Sequence, residues 1–213
     1  MGLSFSNIQV YMERPLDEAL AGRIAEILVE GKVKPKHMVH SFDEAPAMRL
    51  AEFLARIEGK PWSVASHVDV TVCASKGSPW VTVWNERANE CLEELLRITF
   101  ALSKALETRV LAIRCSDSEL LCLKLVDKKR DLDIDAFHGN LKRGVVPHIG
   151  GYEVWREYVK NIRRFMHVVQ TPSAYAEDVL YDIADELELP VEQAFCTKGK
   201  IPKDAQVFEF VAI

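Results

Sequence analysis

The sequence predicts an α+β protein with a mixed or mainly antiparallel sheet of about six or seven strands, packed by about five helices. The runs 68–84 and 110–126 each consist of two β-rich segments around a short polar loop, as hairpins do. The first run alternates apolar and polar residues, whereas the strands of the second are apolar on both parities, as central strands covered on both faces are. Other segments carry apolar residues at the three- and four-residue spacing of an amphipathic helix. Hairpins mixed with helices in this order disfavour a doubly wound parallel sheet, and we expect the helices mostly on one side of the sheet.

Length and composition are typical of a single domain spanning 1–213. The chain has 213 residues, 48% of them hydrophobic and 28% charged, which is enough to bury a full core. The five cysteines are odd in number and lack C-x-x-C spacing, so we expect free thiols in a reducing compartment. Without a secretory signal or an apolar run of about 20 residues, the sequence predicts a cytoplasmic protein that does not enter a membrane.

The N-terminal part of the chain predicts a strand, two helices and a connector. Residues 3–12 alternate loosely between apolar and polar side chains, as strands do. A stripe of apolar residues over 16–30 predicts the first helix, and a polar connector follows over 32–42. Asp43 is a candidate N-cap for a second helix over 45–58.

The C-terminal part predicts three more helices, a long loop and two more strands. The predicted helices cover 88–107, 152–168 and a segment that begins after a cap at Thr171. Residues 130–137 predict a strand beside the second hairpin, and the glycines of 138–151 predict a loop. The run 207–211 predicts a last strand, so we expect both chain ends to enter the sheet.

Two tryptophans on one predicted strand are the main candidates for a binding surface. Trp80 and Trp84 lie four residues apart, so they share a face of the strand. If Val81 and Val83 face the core, the indoles point outward and offer an aromatic surface to a partner protein. The alternative is that the indoles themselves are core. Asp117, in the turn of the second hairpin, is a third candidate binding residue.

Three aspartates at alternate positions are the strongest candidate in the chain for a catalytic or metal-binding site. Asp131, Asp133 and Asp135 would share one face of a strand, and three aligned carboxylates are oxygen ligands for a divalent cation. Asp117 and His138 could join them in space and complete a metal site. The alternative is a solvated edge strand, where charged side chains protect against aggregation.

Nucleic acid is not an expected partner. Residues 182–194 resemble a helix-turn-helix, but Glu188 stands where the motif has its turn glycine, and Glu192 opens the second helix. Acidic side chains at those places repel phosphate, and the net charge of −5 acts in the same direction.

Motifs for nucleotide binding, for a serine nucleophile and for a zinc helix are missing from the sequence, and no cofactor is expected. Together with the tryptophan pair, this favours a non-catalytic protein-interaction domain whose partner is another protein. The alternative is a metal-assisted hydrolase or phosphoesterase that uses the strand of Asp131, Asp133 and Asp135.

Overall fold

The computed structural model of the chain describes residues 3–39, 70–139, 145–171, 175–197 and 200–212. The Asp43 cap and the helix predicted over 45–58 lie outside the described residues. All elements below fall within the described ranges.

Nine antiparallel strands form one sheet in the described part of the chain. They are β1 (Phe5–Tyr11), β2 (Val33–Val39), β3 (Val70–Ser75), β4 (Trp80–Asn85), β5 (Arg109–Ser116), β6 (Leu120–Asp127), β7 (Leu132–His138), β8 (His148–Ile149) and β9 (Ala205–Ala212). Their order across the sheet is β2-β9-β3-β4-β1-β5-β6-β7-β8. The antiparallel prediction, both hairpins and the entry of both chain ends into the sheet are confirmed.

The prediction of six or seven strands was too low by two short or irregular ones. β2 lies within the predicted connector 32–42, and β8 lies within the predicted loop 138–151. β2 contains Pro35 and shifts its register between Pro35 and His37, as an edge strand with a bulge does. Both strands exist because a neighbouring strand supplies hydrogen-bond partners, which local composition does not report.

Seven helices belong to the described residues: α1 (Glu18–Val29), α2 (Glu86–Glu90), α3 (Leu92–Leu106), α4 (Tyr152–Trp155), α5 (Ile162–Gln170), α6 (Ala176–Glu186) and α7 (Val191–Ala194). The continuous helix predicted over 152–168 is wrong, because Asn161 caps a new helix by accepting the amides of Arg163 and Arg164. The Thr171 cap is also wrong, since Tyr175 holds the N-cap position of α6. No helix in the described ranges has the length and apolar character to cross a bilayer.

The helices cover both faces of the sheet, which corrects the prediction of one main side. Alternate residues of β5 show the division, because Val110 and Ala112 join a core under α1–α3 while Leu111 and Ile113 join a core under α4–α7. The strands that are apolar on both parities therefore lie between two helical layers.

β1 lies in the middle of the sheet, between β4 and β5. Its residues 5–10 are all buried, although Ser6, Asn7 and Gln9 are polar. Buried amides need hydrogen-bond partners, and those of Asn7 and Gln9 find them in carbonyl oxygens of α7 and of Cys196, which follows it.

We predict that Trp155→Ala destabilises the protein by about 3–5 kcal/mol, because removal of a fully buried indole leaves a cavity. Trp155 is 0% exposed and stacks on Phe165 with ring centroids 4.9 Å apart. Urea unfolding measures the change. Tyr152→Ala, on the same short helix but 39% exposed, is the matched control and should change stability by less than about 1 kcal/mol. Equal effects of the two substitutions would contradict the assignment of the core.

Candidate binding clefts

Both tryptophans singled out in the sequence are buried, so they offer no outward aromatic surface. Trp80 is 2% exposed and Trp84 is 6% exposed. Val81 and Val83 do face a core, the one under α1–α3, yet this does not turn the indoles outward. The reason is that the opposite face of β4 is covered as well, and Trp80 belongs to the core under α4–α7.

The acidic residues do not converge on one point. Asp131 lies in the turn before β7 with a φ of 51°, and its side chain is 97% exposed. Asp133 and Asp135 do share a face of β7, but each lies beside a cationic or imidazole group. Asp133 pairs with Lys124 at 2.6 Å, and Asp135 lies 3.8 Å from Nε2 of His148.

His138 and Asp117 lie away from this acidic face. His138 is on the opposite side of β7, where it is 2% exposed and its Nδ1 is 2.9 Å from the carbonyl oxygen of Val169. Asp117 is in the β5–β6 turn, at the other end of β6 from Asp131. Among the described residues, no group of three or more His, Cys, Asp or Glu side chains is placed to hold a metal ion. The geometry therefore gives the metal-assisted alternative no support.

The thiols near the β5–β6 hairpin are not activated as nucleophiles. Burial, followed by the nearby Glu177 carboxylate, raises the pKa of Cys115 to about 12. Burial also raises the pKa of Cys122 above its ordinary value. A nucleophilic cysteine needs a lowered pKa, so neither thiol is prepared for covalent catalysis.

Two clefts flank the loop between β3 and β4, residues 75–79. Cleft A, of about 920 Å³, lies between this loop and residues 11–16 and 204–207. Cleft B, of about 810 Å³, lies between the loop and residues 188–195 and 200–204. Because the loop and Asp204 line both, the two clefts adjoin at this end of the sheet, and we call them together the trough.

The lining of cleft B combines apolar side chains with charged side chains of both signs. Apolar contact surface comes from Pro79, Pro190, Phe195, Ile201 and Pro202. The cationic side chains are Lys76, Lys200 and Lys203, and the anionic ones are Glu188, Glu192 and Asp204. Such a lining matches a ligand that has apolar, acidic and basic groups along its length.

One wall of cleft B is held by side chains of the central strand. Nδ2 of Asn7 donates to the carbonyl oxygens of Ala194 and Cys196 at 2.8 and 3.1 Å. Nε2 of Gln9 donates to the carbonyl oxygen of Gln193 at 2.9 Å. All these groups are buried, so the bonds fix the α7 segment on the sheet and thereby set the position of the wall.

The side chain of Gln193 forms further hydrogen bonds that link α7 to β4. Its Nε2 donates to the carbonyl oxygen of Trp80 at 2.8 Å and lies 3.1 Å from Oγ1 of Thr82. The Thr82 hydroxyl donates to Oε1 of Gln9 at 2.9 Å. The network therefore joins β1, β4 and α7 behind the cleft.

The shared loop is also fixed by its own hydrogen bonds. The amide of Trp80 donates to Oγ of Ser78 at 3.0 Å, and the amide of Ser78 donates to the carbonyl oxygen of Ser75 at 3.1 Å. Gly77 has a φ of +78°, which side chains with a Cβ rarely adopt. A fixed loop loses little conformational entropy when a ligand binds against it.

The described lining residues of the two clefts include neither histidine nor cysteine. Ser75 and Ser78 supply hydroxyl groups to this lining, and the Ser78 hydroxyl donates to the carbonyl oxygen of Trp80 at 3.4 Å.

Comparison with known proteins adds no relative: no family model, curated protein or solved structure matches the chain. The clefts were not predicted from the sequence, where the short polar loop within the run 68–84 indicates only a turn. A usable signal was present, since a glycine loop and the Lys- and Pro-containing stretch 200–204 are exposed connections of the kind that carry binding residues. Their meeting in space depends on β9 lying beside β3.

We predict that iodoacetamide labels Cys91 at least about 100-fold faster than Cys115 in the folded protein at pH 8. Cys91 is exposed, whereas Cys115 is buried and its pKa is raised to about 12, so its thiolate is scarce at that pH. Peptide mass spectrometry at timed intervals measures the two rates, and labelling in urea supplies the unfolded control. Comparable rates in the folded state would contradict the inert environment of Cys115.

Proposed function

We propose that the protein is a non-catalytic interaction domain that binds an extended segment of a partner protein in clefts A and B. The observation that carries the proposal is the pair of clefts around residues 75–79, which share a fixed loop and have a mixed apolar and charged lining. The buried tryptophans no longer contribute to it, because their surface is inside the molecule.

The form of the trough favours a polypeptide over a small metabolite. Small-molecule sites typically enclose about 300–1,000 Å³ and bury most of the ligand. Cleft A has about 920 Å³ and cleft B about 810 Å³, so each lies at the upper end of that range and the adjoining pair exceeds it. An extended segment of a protein can lie against the loop and place side chains in both clefts.

The charges of the lining indicate which segment fits. Lys76, Lys200 and Lys203 face one cleft together with three carboxylates. A segment of one sign would meet repulsion from half of these groups, so a partner segment with both acidic and basic residues is favoured.

Site-specific photo-crosslinking tests the location. A benzophenone amino acid is placed at Lys76 or at Lys203, both exposed and both in the lining of cleft B. The matched control position is Lys104, an exposed lysine on α3 at the opposite face of the sheet. We expect the same partner protein to be crosslinked from both cleft positions in cell extract and not from Lys104.

A charge-reversal variant then tests the contribution of the cleft. We predict that Lys200→Glu combined with Lys203→Glu weakens binding of the crosslinked partner by about 10-fold or more, because two attractive pairs become repulsive. Lys104→Glu should leave affinity unchanged. Calorimetric titration with the purified partner gives both values, and circular dichroism checks the fold.

Two results would overturn the proposal. One is crosslinking that is equal from all three positions, which would place no partner at the trough. The other is a metabolite that raises the melting temperature of the native protein and loses this effect in the double lysine variant, which would assign the clefts to a small molecule.

A further inference from the structure

Two buried cysteines lie in contact beneath the clefts. The Sγ atoms of Cys73 and Cys196 are 3.7 Å apart, and each residue is 1% exposed. Cys73 is in β3, and Cys196 follows α7, so 123 positions of sequence separate them. Val207, Ile201 and Ala205 surround the pair with apolar contacts.

The fold, and not local sequence, brings the two sulfurs together. β9 pairs with β3 and sets Val207 opposite Cys73. Asn7 holds the carbonyl of Cys196 at 3.1 Å and so fixes the backbone on the other side. Because both backbones are held and the sulfur atoms are already 3.7 Å apart, closing the bond brings the two sulfurs less than about 2 Å closer.

We propose that Cys73 and Cys196 form a redox-active pair that closes to an intramolecular disulfide under oxidising conditions. The oxidant is a low-molecular-weight disulfide such as oxidised glutathione. One protein thiolate attacks it, forms a mixed disulfide and releases one glutathione thiol. The second protein thiolate then displaces the other glutathione, so two S–H bonds are lost, one S–S bond forms and the oxidant is reduced to two thiols.

Burial sets the rate of this step but not its direction. The hydrogen bond to Cys196, followed by burial, raises the pKa of the Cys73 thiol well above its ordinary value. The first attack therefore takes place when the chain around Cys196 opens locally. On reclosing, the fold returns the two sulfurs to contact, which favours the second displacement.

The disulfide would tie the chain that lines cleft B to the strand beneath it. Ile201 belongs both to the lining of cleft B and to the apolar shell of the cysteine pair. Ala74 and Ser75, which directly follow Cys73, line cleft A. The proposed bond therefore lies under the junction of the two clefts, although its formation does not depend on the proposed function.

The remaining cysteines supply internal controls. Cys115 pairs in register with Leu121, and Cys122 pairs with Arg114, so the two thiols point to opposite faces of the sheet and cannot bond. Cys91 is exposed and holds the N-cap position of α3 without a side-chain hydrogen bond. Cys91→Ser removes the thiol that would crosslink two molecules and places a good capping residue there.

The test uses the full chain with Cys91→Ser, incubated with oxidised glutathione in urea below the unfolding transition and then returned to buffer. Alkylation before and after reduction, followed by peptide mass spectrometry, identifies the bonded cysteines. We expect a single linkage between Cys73 and Cys196. The oxidised form should melt roughly 5–10 °C above the reduced form, because the bond closes a long loop.

In the Cys91→Ser protein, a further Cys73→Ser or Cys196→Ser substitution should abolish both the disulfide and the shift in melting temperature. A further Cys122→Ser substitution should abolish neither. The linkage itself is identified without the serine variants of the pair, so it is measurable even if one of them fails to fold. Persistence of all four thiols at equilibrium, stable glutathione adducts on Cys73 or Cys196, or a linkage that includes Cys115 or Cys122 would overturn the proposal.

Discussion

The architecture depends on buried amide groups in the central strand. Asn7 and Gln9 lie in β1, which is covered on both faces, and their side chains cannot reach water. Leaving such a group without a partner costs about 1–3 kcal/mol. Three carbonyl oxygens, from Gln193, Ala194 and Cys196, meet this requirement. The amides therefore determine where the chain after α6 lies, and this placement forms one wall of cleft B and brings Cys196 to Cys73.

Periodicity predicted the elements that have a regular pattern of their own. The β3–β4 hairpin and the last strand follow from alternating side chains, the β5–β6 hairpin follows from two apolar runs around a polar turn, and α1 and α3 follow from apolar stripes. It could not predict β2 or β8, which exist because β9 and β7 offer them hydrogen bonds. Nor could it show that helices cover both faces of the sheet, because a strand that is apolar on both parities does not say which helix lies on which side.

The candidate site residues also show that local sequence patterns do not predict which faces of the sheet are covered. Trp80 was a reasonable candidate because aromatic residues are frequent in interfaces, but its exposure depended on whether the far face of β4 was covered. His138 is three residues from Asp135 and so falls on the other face of β7, a parity argument that sequence alone permitted. The clefts needed the sheet order, since residues 11–16, 75–79, 188–195 and 200–207 meet only through it. Local sequence patterns carry little information about cavities that form where segments distant in sequence meet.

The most direct measurement is hydrogen exchange by mass spectrometry on the native protein and on Asn7→Leu. This variant keeps four side-chain heavy atoms in a branched arrangement but removes both bonds that Asn7 donates and the one it accepts from Gln9. If the buried amide of Asn7 fixes the wall, peptides covering 193–197 should exchange roughly 10-fold or more faster in the variant, while 120–127 in β6 stays protected. Unchanged protection over 193–197 would contradict this, as would equal loss across the whole sheet, since either result would separate the position of the wall from the central strand.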